Sequence, residues 1–367
     1  MTVSRQFFIS FASVVAISVF GSSCAAVKSE AVSDSPKMSL GVGTPVKAAG
    51  ETQAVGTAAR DAADDPEIWA DPADPTRGVI FGTDKQAGLY VYGLDGKDKQ
   101  FLPEGPLNNV DLRGGFQFGG REQVLVGASD RRRMGIAFFI LDPQTLNVTP
   151  WGVTPTKVSE PYGFCMGKVG ADTIAVMVGK DGDVQQFTVK DQGGKPALTL
   201  TRSFAVGTQS EGCVIDDVAG ALYIAEEMKG IWRYGLDPAS GSARTQLAAA
   251  PSEMLKPDVE GLTLLREGAK TWLIASSQGD SAFAVWRVDG APSYAGRFSV
   301  HPGGGADAVT GTDGVAALGG PVGAFPEGLI VVQDDADTDG ESISAVRTRQ
   351  NFKLVGWREV KAALGIQ

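Results

Sequence analysis

The densest chemistry in this chain lies in Asp61-Ala-Ala-Asp64-Asp65-Pro66-Glu67-Ile-Trp69, where three aspartates fall within five positions ahead of a proline. Unneutralised, those carboxylates repel one another. Hard oxygen donors at this density suit calcium, which takes about six to eight of them; taken alone, the motif also reads as a solvated acidic turn. Further acids recur where strands should end: Glu211, Glu226-Glu227, Asp258-Val-Glu260, Asp307 and Asp313. Asp335-Ala-Asp337-Thr-Asp339-Gly340 matches the first half of a calcium loop, but its twelfth position is Val346 rather than Glu, so it is no EF-hand. Cations occupy the same kind of context: Lys85 after Gly-Thr-Asp, Arg131 after Ala-Ser-Asp, Lys180 after Val-Gly. Lys and Arg are the usual donors to phosphate oxygens, and Tyr162 adds a hydroxyl. Singly, each reads as a surface charge or core ring. Together they describe a site where calcium and cationic side chains share a phosphorylated ligand.

What is missing narrows the chemistry further. His301 is the only histidine, set in His301-Pro-Gly-Gly-Gly, so phosphatases with a His nucleophile and zinc sites built on three His are excluded. A Cys-based phosphatase loop needs Arg six positions after its Cys; Cys165 and Cys213 are followed there by Ala171 and Ala219. Those two cysteines read as buried small residues or as a disulfide, and spacing alone leaves both open. The formal charge of −10 speaks against a nucleic-acid partner. An acidic protein can still hold a polyanion if divalent cations lie between them.

The elements that must position these residues are short strands. Runs such as Gly88-Leu-Tyr-Val-Tyr, Gln123-Val-Leu-Val-Gly-Ala, Thr173-Ile-Ala-Val-Met-Val and Thr271-Trp-Leu-Ile-Ala are β-branched and aromatic, bounded by Gly, Pro, Asp and Asn turns. Helical periodicity appears only around Trp357 to Leu364. A weak repeat relates Phe81-Gly-Thr-Asp … Leu89-Tyr-Val-Tyr-Gly-Leu-Asp-Gly to Tyr223-Ile-Ala-Glu-Glu … Ile231-Trp-Arg-Tyr-Gly-Leu-Asp-Pro. Its period is about fifty residues, so residues 61–367 hold about six units. Six four-stranded units arranged radially make an all-β, six-bladed β-propeller. In such a ring, equivalent positions converge on the central channel, so acids scattered along the chain can meet.

The N-terminus decides the compartment. Arg5, the apolar residues 7–20 and the small residues Gly21 to Ala26 have the order of a secretory signal, so residues 1–26 are expected to direct export. Cys24 could accept lipid as in a bacterial lipoprotein, although Gly21 stands where such a signal normally has Leu. Residues 27–60 are small and polar without strand or helix period and read as a flexible leader. Residues 61–367 then form one catalytic domain, expected to be monomeric and periplasmic, outer-membrane-bound or secreted.

Two stretches, Asp61 to Trp69 and Asn108-Asn-Val-Asp-Leu-Arg113, resemble the signature motifs of the β-propeller phytases. Glu160-Pro-Tyr-Gly-Phe, Gln209-Ser-Glu-Gly, Pro257-Asp-Val-Glu-Gly-Leu, Ala275-Ser-Ser-Gln-Gly and Gln350-Asn-Phe-Lys extend the resemblance to the C-terminus. It implies calcium-dependent hydrolysis of inositol hexakisphosphate, taken as its calcium complex, by direct attack of water. By motif position, Asp64, Glu211, Glu227, Asp258, Glu260, Asp307 and Asp313 would ligate active-site calcium. Lys85, Arg131, Tyr162 and Lys180 would hold phosphates, and Asp65, Asp334 and Asp337 would belong to structural calcium sites. The chain departs from more familiar members in having Asp181 after Lys180, where Glu often stands, in the run Arg131-Arg132-Arg133, and in insertions between Phe298 and Val315. The rival readings are a calcium-dependent propeller lactonase or esterase, which would want a His beside the metal, and a non-catalytic binding propeller of the cell envelope.

Overall fold

A computed structural model describes residues 1–2, 39–58, 61–338 and 349–366. The chain divides after Asp34, and every strand and helix among the described residues belongs to the unit Ser35–Gln367. The signal segment with Cys24, and the second half of the acidic loop from Asp339 onward, lie outside the described residues.

Six sheets form. Blade 1 comprises β3–β6 (residues 63–102), blade 2 β7–β10 (107–155), blade 3 β11–β14 (161–205), blade 4 β15–β18 (210–249), blade 5 β19–β22 (262–301) and blade 6 β23–β25 (315–356). Within each blade consecutive strands pair antiparallel, as short connections allow. The first strand of each blade lies innermost and packs on the first strand of the next, from β3 to β7, β11, β15, β19, β23 and back to β3. That closed cycle makes the molecule a six-bladed propeller. Its core is accordingly six apolar wedges between neighbouring blades. One of them joins Trp272 of blade 5 to Trp357, ring centres 5.7 Å apart; Trp357 opens α1 (Trp357–Leu364), the one α-helix among the described residues.

The domain begins earlier than the sequence reading placed it. Residues 44–47 and 50–51, read as leader, are strands. β1 (Thr44–Lys47) adds in parallel to β22 at the edge of blade 5, and β2 (Gly50–Glu51) pairs with β25 as the fourth strand of blade 6. Both are too short to show a period of their own. Their conformation is set by partners about 250 to 300 residues downstream. Blade 6 is therefore completed by the N-terminal segment, and the ring is closed by hydrogen bonds from both ends of the chain.

Cys165 on β11 and Cys213 on β15 form a disulfide with Cα atoms 5.6 Å apart, tying blade 3 to blade 4.

Candidate active site

Three features of the fold converge at one end of the channel. First, the inner strands of blades 1 to 4 are irregular where they leave the mouth: register shifts fall between Ala63 and Pro66, Leu107 and Val110, Pro161 and Gly163, and Ser210 and Cys213, while in blades 5 and 6 Glu260 and Asp313 lie just ahead of the inner strands. A bulge re-aims a side chain that would otherwise point into a blade wedge. The side chains set at this position around the ring are Asp64, Asn108, Tyr162, Glu211, Glu260 and Asp313.

Second, in blades 3 to 6 the residue after this position is a glycine that lies hard against the next blade. A Cβ at Gly163 would stand 1.8 Å from the Glu211 carbonyl oxygen, one at Gly212 1.7 Å from that of Glu260, and one at Gly261 2.7 Å from that of Asp313. Gly261 and Gly314 donate N–H bonds across these seams, to Asp313 O and Asp64 O, both at 3.1 Å. Glycine at these positions lets the acidic residues approach one another; any side chain would push the blades apart.

Third, the residue after the second strand of each blade stands at this same end of its blade. In order these are Lys85, Arg131, Lys180, Glu227, Gln278 and Asp335. Blades 1 to 3 thus present three cations, and blades 4 to 6 present acids and an amide. The mouth is polarised.

On the acidic side, Glu211, Glu227 and Glu260 are buried, and one oxygen from each lies within 4.8 Å of the others. Burial first, then Glu227 and Asp313 against the counter-pull of Lys85, pushes Glu211 up to about 7. Burial and then Asp258 push Glu227 up to about 7. Glu260 is raised well above the carboxylate range by burial, Asp313 and Glu211. Asp64 is raised well above its ordinary value by burial, which together with Glu211 and Asp313 prevails over the pull of Lys85; its Oδ2 has no hydrogen-bond partner, and Oδ1 stands 2.9 Å from Lys85 Nζ. Neutral amides steady the cluster. Asn108 Nδ2 donates to Glu211 Oε1 at 2.7 Å, and Gln278 Nε2 donates to Glu260 Oε2 at 3.1 Å and Asp313 Oδ1 at 2.5 Å. Asp258, half-buried, accepts Gln278 N at its carbonyl.

On the cationic side, Lys85 reaches Asp61, Asp64 and Asp313 at 2.7, 2.9 and 3.0 Å. Burial alone would depress its pKa, but the surrounding carboxylates prevail and raise it, so it stays charged. Arg131 and Lys180 flank the Tyr162 ring at 6.0 and 5.2 Å. Burial, with Glu211 and Glu260 behind it, raises Tyr162 well above the usual phenol range, so it stays protonated and can donate. Asp181 is exposed on the same turn as Lys180, with its N–H on Ser159 Oγ at 3.2 Å.

This donor set fits a hard divalent cation. It is all oxygen, several carboxylates are held close in burial, and the oxygens Asp64 Oδ2 and Glu227 Oε1 lack partners. Most predicted residues meet here: Asp64, Lys85, Arg131, Tyr162, Lys180, Glu211, Glu227, Asp258, Glu260 and Asp313.

One placement differs from expectation. Asp307 does not join the mouth. It lies with Glu51, Asp334 and Asp337 around Lys353, whose Nζ is 2.6 Å from Asp307, 2.9 Å from Asp334, 3.0 Å from Glu51 and 3.7 Å from Asp337. The irregular chain ahead of β23 carries it there, where the Thr338 N–H and hydroxyl donate to its other oxygen. Asp65 stands apart from that group; its Oδ2 accepts Val110 N at 3.0 Å across the seam of blades 1 and 2. Glu51, Asp307 and Asp337 form a second all-oxygen group able to hold a cation. Sequence reasoning missed Asn108, Gln278, Glu51 and Lys353 as site residues. Gln278 could have been found, because it follows the second strand of its blade as Lys85 and Arg131 do. His301 sits on β22 paired with Lys47, away from the inner strands.

The same chain has recognisable relatives. A family model described as Phytase matches residues 10–367. A curated 3-phytase from Bacillus subtilis (strain 168) is 37% identical over 320 residues, covering 83% of this chain and 82% of that protein. Among solved structures, a chain of a nidogen/laminin complex overlaps 76% of this chain and 96% of its own length at a TM-score of 0.45 and 14% identity. The β-propeller domain of Myceliophteria thermophila Cps50 (Swd1) overlaps 78% and 82% at 0.45 and 9%. Overlaps this slight carry no argument, and the fold rests on the strand pairing itself.

Proposed function

The chain belongs to the phytase family and is a phosphoric monoester hydrolase of inositol hexakisphosphate, and on that premise we propose that it works with calcium held at the propeller mouth. The observation that carries this reading is the group Glu211, Glu227 and Glu260, facing Lys85, Arg131 and Lys180 across the opening. Asp64, Glu211, Glu227, Asp258, Glu260 and Asp313 would hold the metal, with Asn108 and Gln278 orienting three of them. Bound calcium supplies positive charge that screens the phosphates and Lewis acidity that makes water a better nucleophile. Lys85, Arg131 and Lys180 donate to phosphate oxygens and stabilise charge that grows in the transition state. Tyr162, kept protonated, donates its hydroxyl and backs the two flanking cations with its ring. Neither histidine nor free thiol reaches the mouth among the described residues, so direct attack by water is the route these groups serve.

A second group, Glu51, Asp307, Asp334 and Asp337, would hold calcium in a structural role, with Asp65 at the seam of blades 1 and 2 as a further candidate ligand. Residues 1–26 are read as an export signal and the protein as a monomer. Cell fractionation with sequencing of the mature N-terminus tests the first, and light scattering tests the second.

The deciding experiment is phosphate release from inositol hexakisphosphate with added calcium, repeated after EDTA. Release with calcium and its loss with EDTA are expected. A lactonase or esterase would release no phosphate, and a binding propeller would turn nothing over. Calcium-independent release would refute the metal reading alone.

A further inference from the structure

Besides the Tyr162 ring, Glu160 contacts both Arg131 and Lys180 and belongs to neither metal group. Glu160 Oε1 accepts from Arg131 Nε at 2.7 Å and lies 2.5 Å from Nη2. One carboxylate oxygen thus takes one edge of the guanidinium. Nη1 is left on the ring side, 3.4 Å from Asn108 Oδ1. The main chain of the same residue anchors the backbone from which the other cation departs, since the Glu160 carbonyl accepts the Lys180 amide N–H at 2.9 Å.

The loop around it is braced on both sides. Thr156 N donates to Met134 O at 3.0 Å, on the turn that carries Arg131. Lys157 N and Ser159 N donate to Gln185 Oε1 and Asp183 Oδ2, both at 2.8 Å, on the strand that follows Lys180. Ser159 Oγ donates to Asp183 Oδ1 at 2.7 Å and accepts Asp181 N. Arg131 and Lys180 come from different blades, and their side chains are long; apart from Glu160, Arg131 is held by a long bond to Asn108 and by the Tyr162 ring. A bond to a charged partner fixes an arginine edge far better than packing against a ring does.

We propose that Glu160 is a positioning residue that sets the spacing of Arg131 and Lys180, so that both engage anionic groups of one polyphosphorylated ligand. Its side chain orients the Arg131 guanidinium, its main chain fixes the point on the backbone where the Lys180 side chain starts, and it touches no substrate itself. The proposal rests on the phosphate-binding role of those two cations in the proposed reaction.

The test compares Glu160→Ala, Glu160→Gln and Arg131→Ala with the double variant Arg131→Ala/Glu160→Ala, all calcium-loaded. Glu160→Ala should raise KM for inositol hexakisphosphate, and Ki for inorganic phosphate, by about tenfold while kcat stays within about twofold. Glu160→Gln keeps an acceptor oxygen and should recover most of the loss. In the double variant the Glu160 effect should vanish, because the group it positions is gone. Additive losses in the double variant, or unchanged KM and Ki in Glu160→Ala, overturn the proposal. Phosphate binding measured by calorimetry on the same proteins reads the cycle without turnover. An inactive wild type that shows the same binding cycle would defeat the catalytic reading and spare this one.

Discussion

The molecule contains two buried lysines surrounded by carboxylates, and they are built differently. Lys353 is wholly enclosed, with four carboxylates around its ammonium and Asn351 Oδ1 at 2.6 Å. Its acids also lean on fixed donors: Thr338 N serves Asp307 and Thr310 N serves Asp334. Lys85 sits at an opening, its neighbours are steadied by the side-chain amides of Asn108 and Gln278, and two of the acids across from it titrate near neutrality. The first arrangement offsets part of its charge with an ammonium sealed inside the fold. The second leaves charge unbalanced where a ligand can reach it, at a cost in stability that only a bound cation offsets.

The contrast can be broken most directly at the lysines. Lys353→Met should destabilise the fold by about 3–5 kcal/mol in urea titration, since it strands buried carboxylates. Lys85→Met should cost clearly less and instead remove phosphate release; equal losses of stability would erase the distinction. Next in size, Glu211→Ala should lower kcat for inositol hexakisphosphate by about a hundredfold or more, with circular dichroism and melting temperature nearly unchanged. Full activity in that variant would remove the acidic side of the mouth from the reaction. Gly212→Ala should cost about 1–3 kcal/mol by wedging blade 4 from blade 5, and should weaken calcium-induced stabilisation, because the Glu260 carbonyl lies where the methyl must go.

The smallest effect is in pH. A carboxyl whose folded-state pKa is raised favours the folded chain while it is protonated. The metal-free protein should therefore be favoured by Glu211 and Glu227 below their ordinary 4.5 and lose that contribution as pH climbs through about 7. Calcium should reverse the trend, giving its largest rise in melting temperature above pH 7, because ligands must lose protons to bind it. Scanning calorimetry from pH 4 to 8, with and without calcium, reads this; a calcium effect independent of pH would contradict it.

Much of the ring and its mouth was legible in the residues themselves, for physical reasons. Recurrence at about fifty residues announces a radial fold, since each unit must bury its faces against the next. Lys85, Arg131 and Lys180 stood out because each follows a strand that ends in small or acidic residues. Asp307 was misgrouped because the chain around it has no strand to fix its register. Asn108 and Gln278 carry no charge, so composition could not flag them. The cysteine pair lay open, although a separation of 48 is close to one blade repeat and so places the two on equivalent inner strands.

Gly50–Glu51 completes the last sheet although it is among the first parts of the domain to be made. During synthesis its partner Asn351–Gly356 does not yet exist, and the carboxylate awaiting Lys353 has no base to meet until some three hundred residues later. The toroid can only snap shut once Asn351–Gly356 has been made. A circular permutant opened at a junction between two blades would move that clasp elsewhere, and its refolding rate would report how far the latch, rather than the blades, governs assembly.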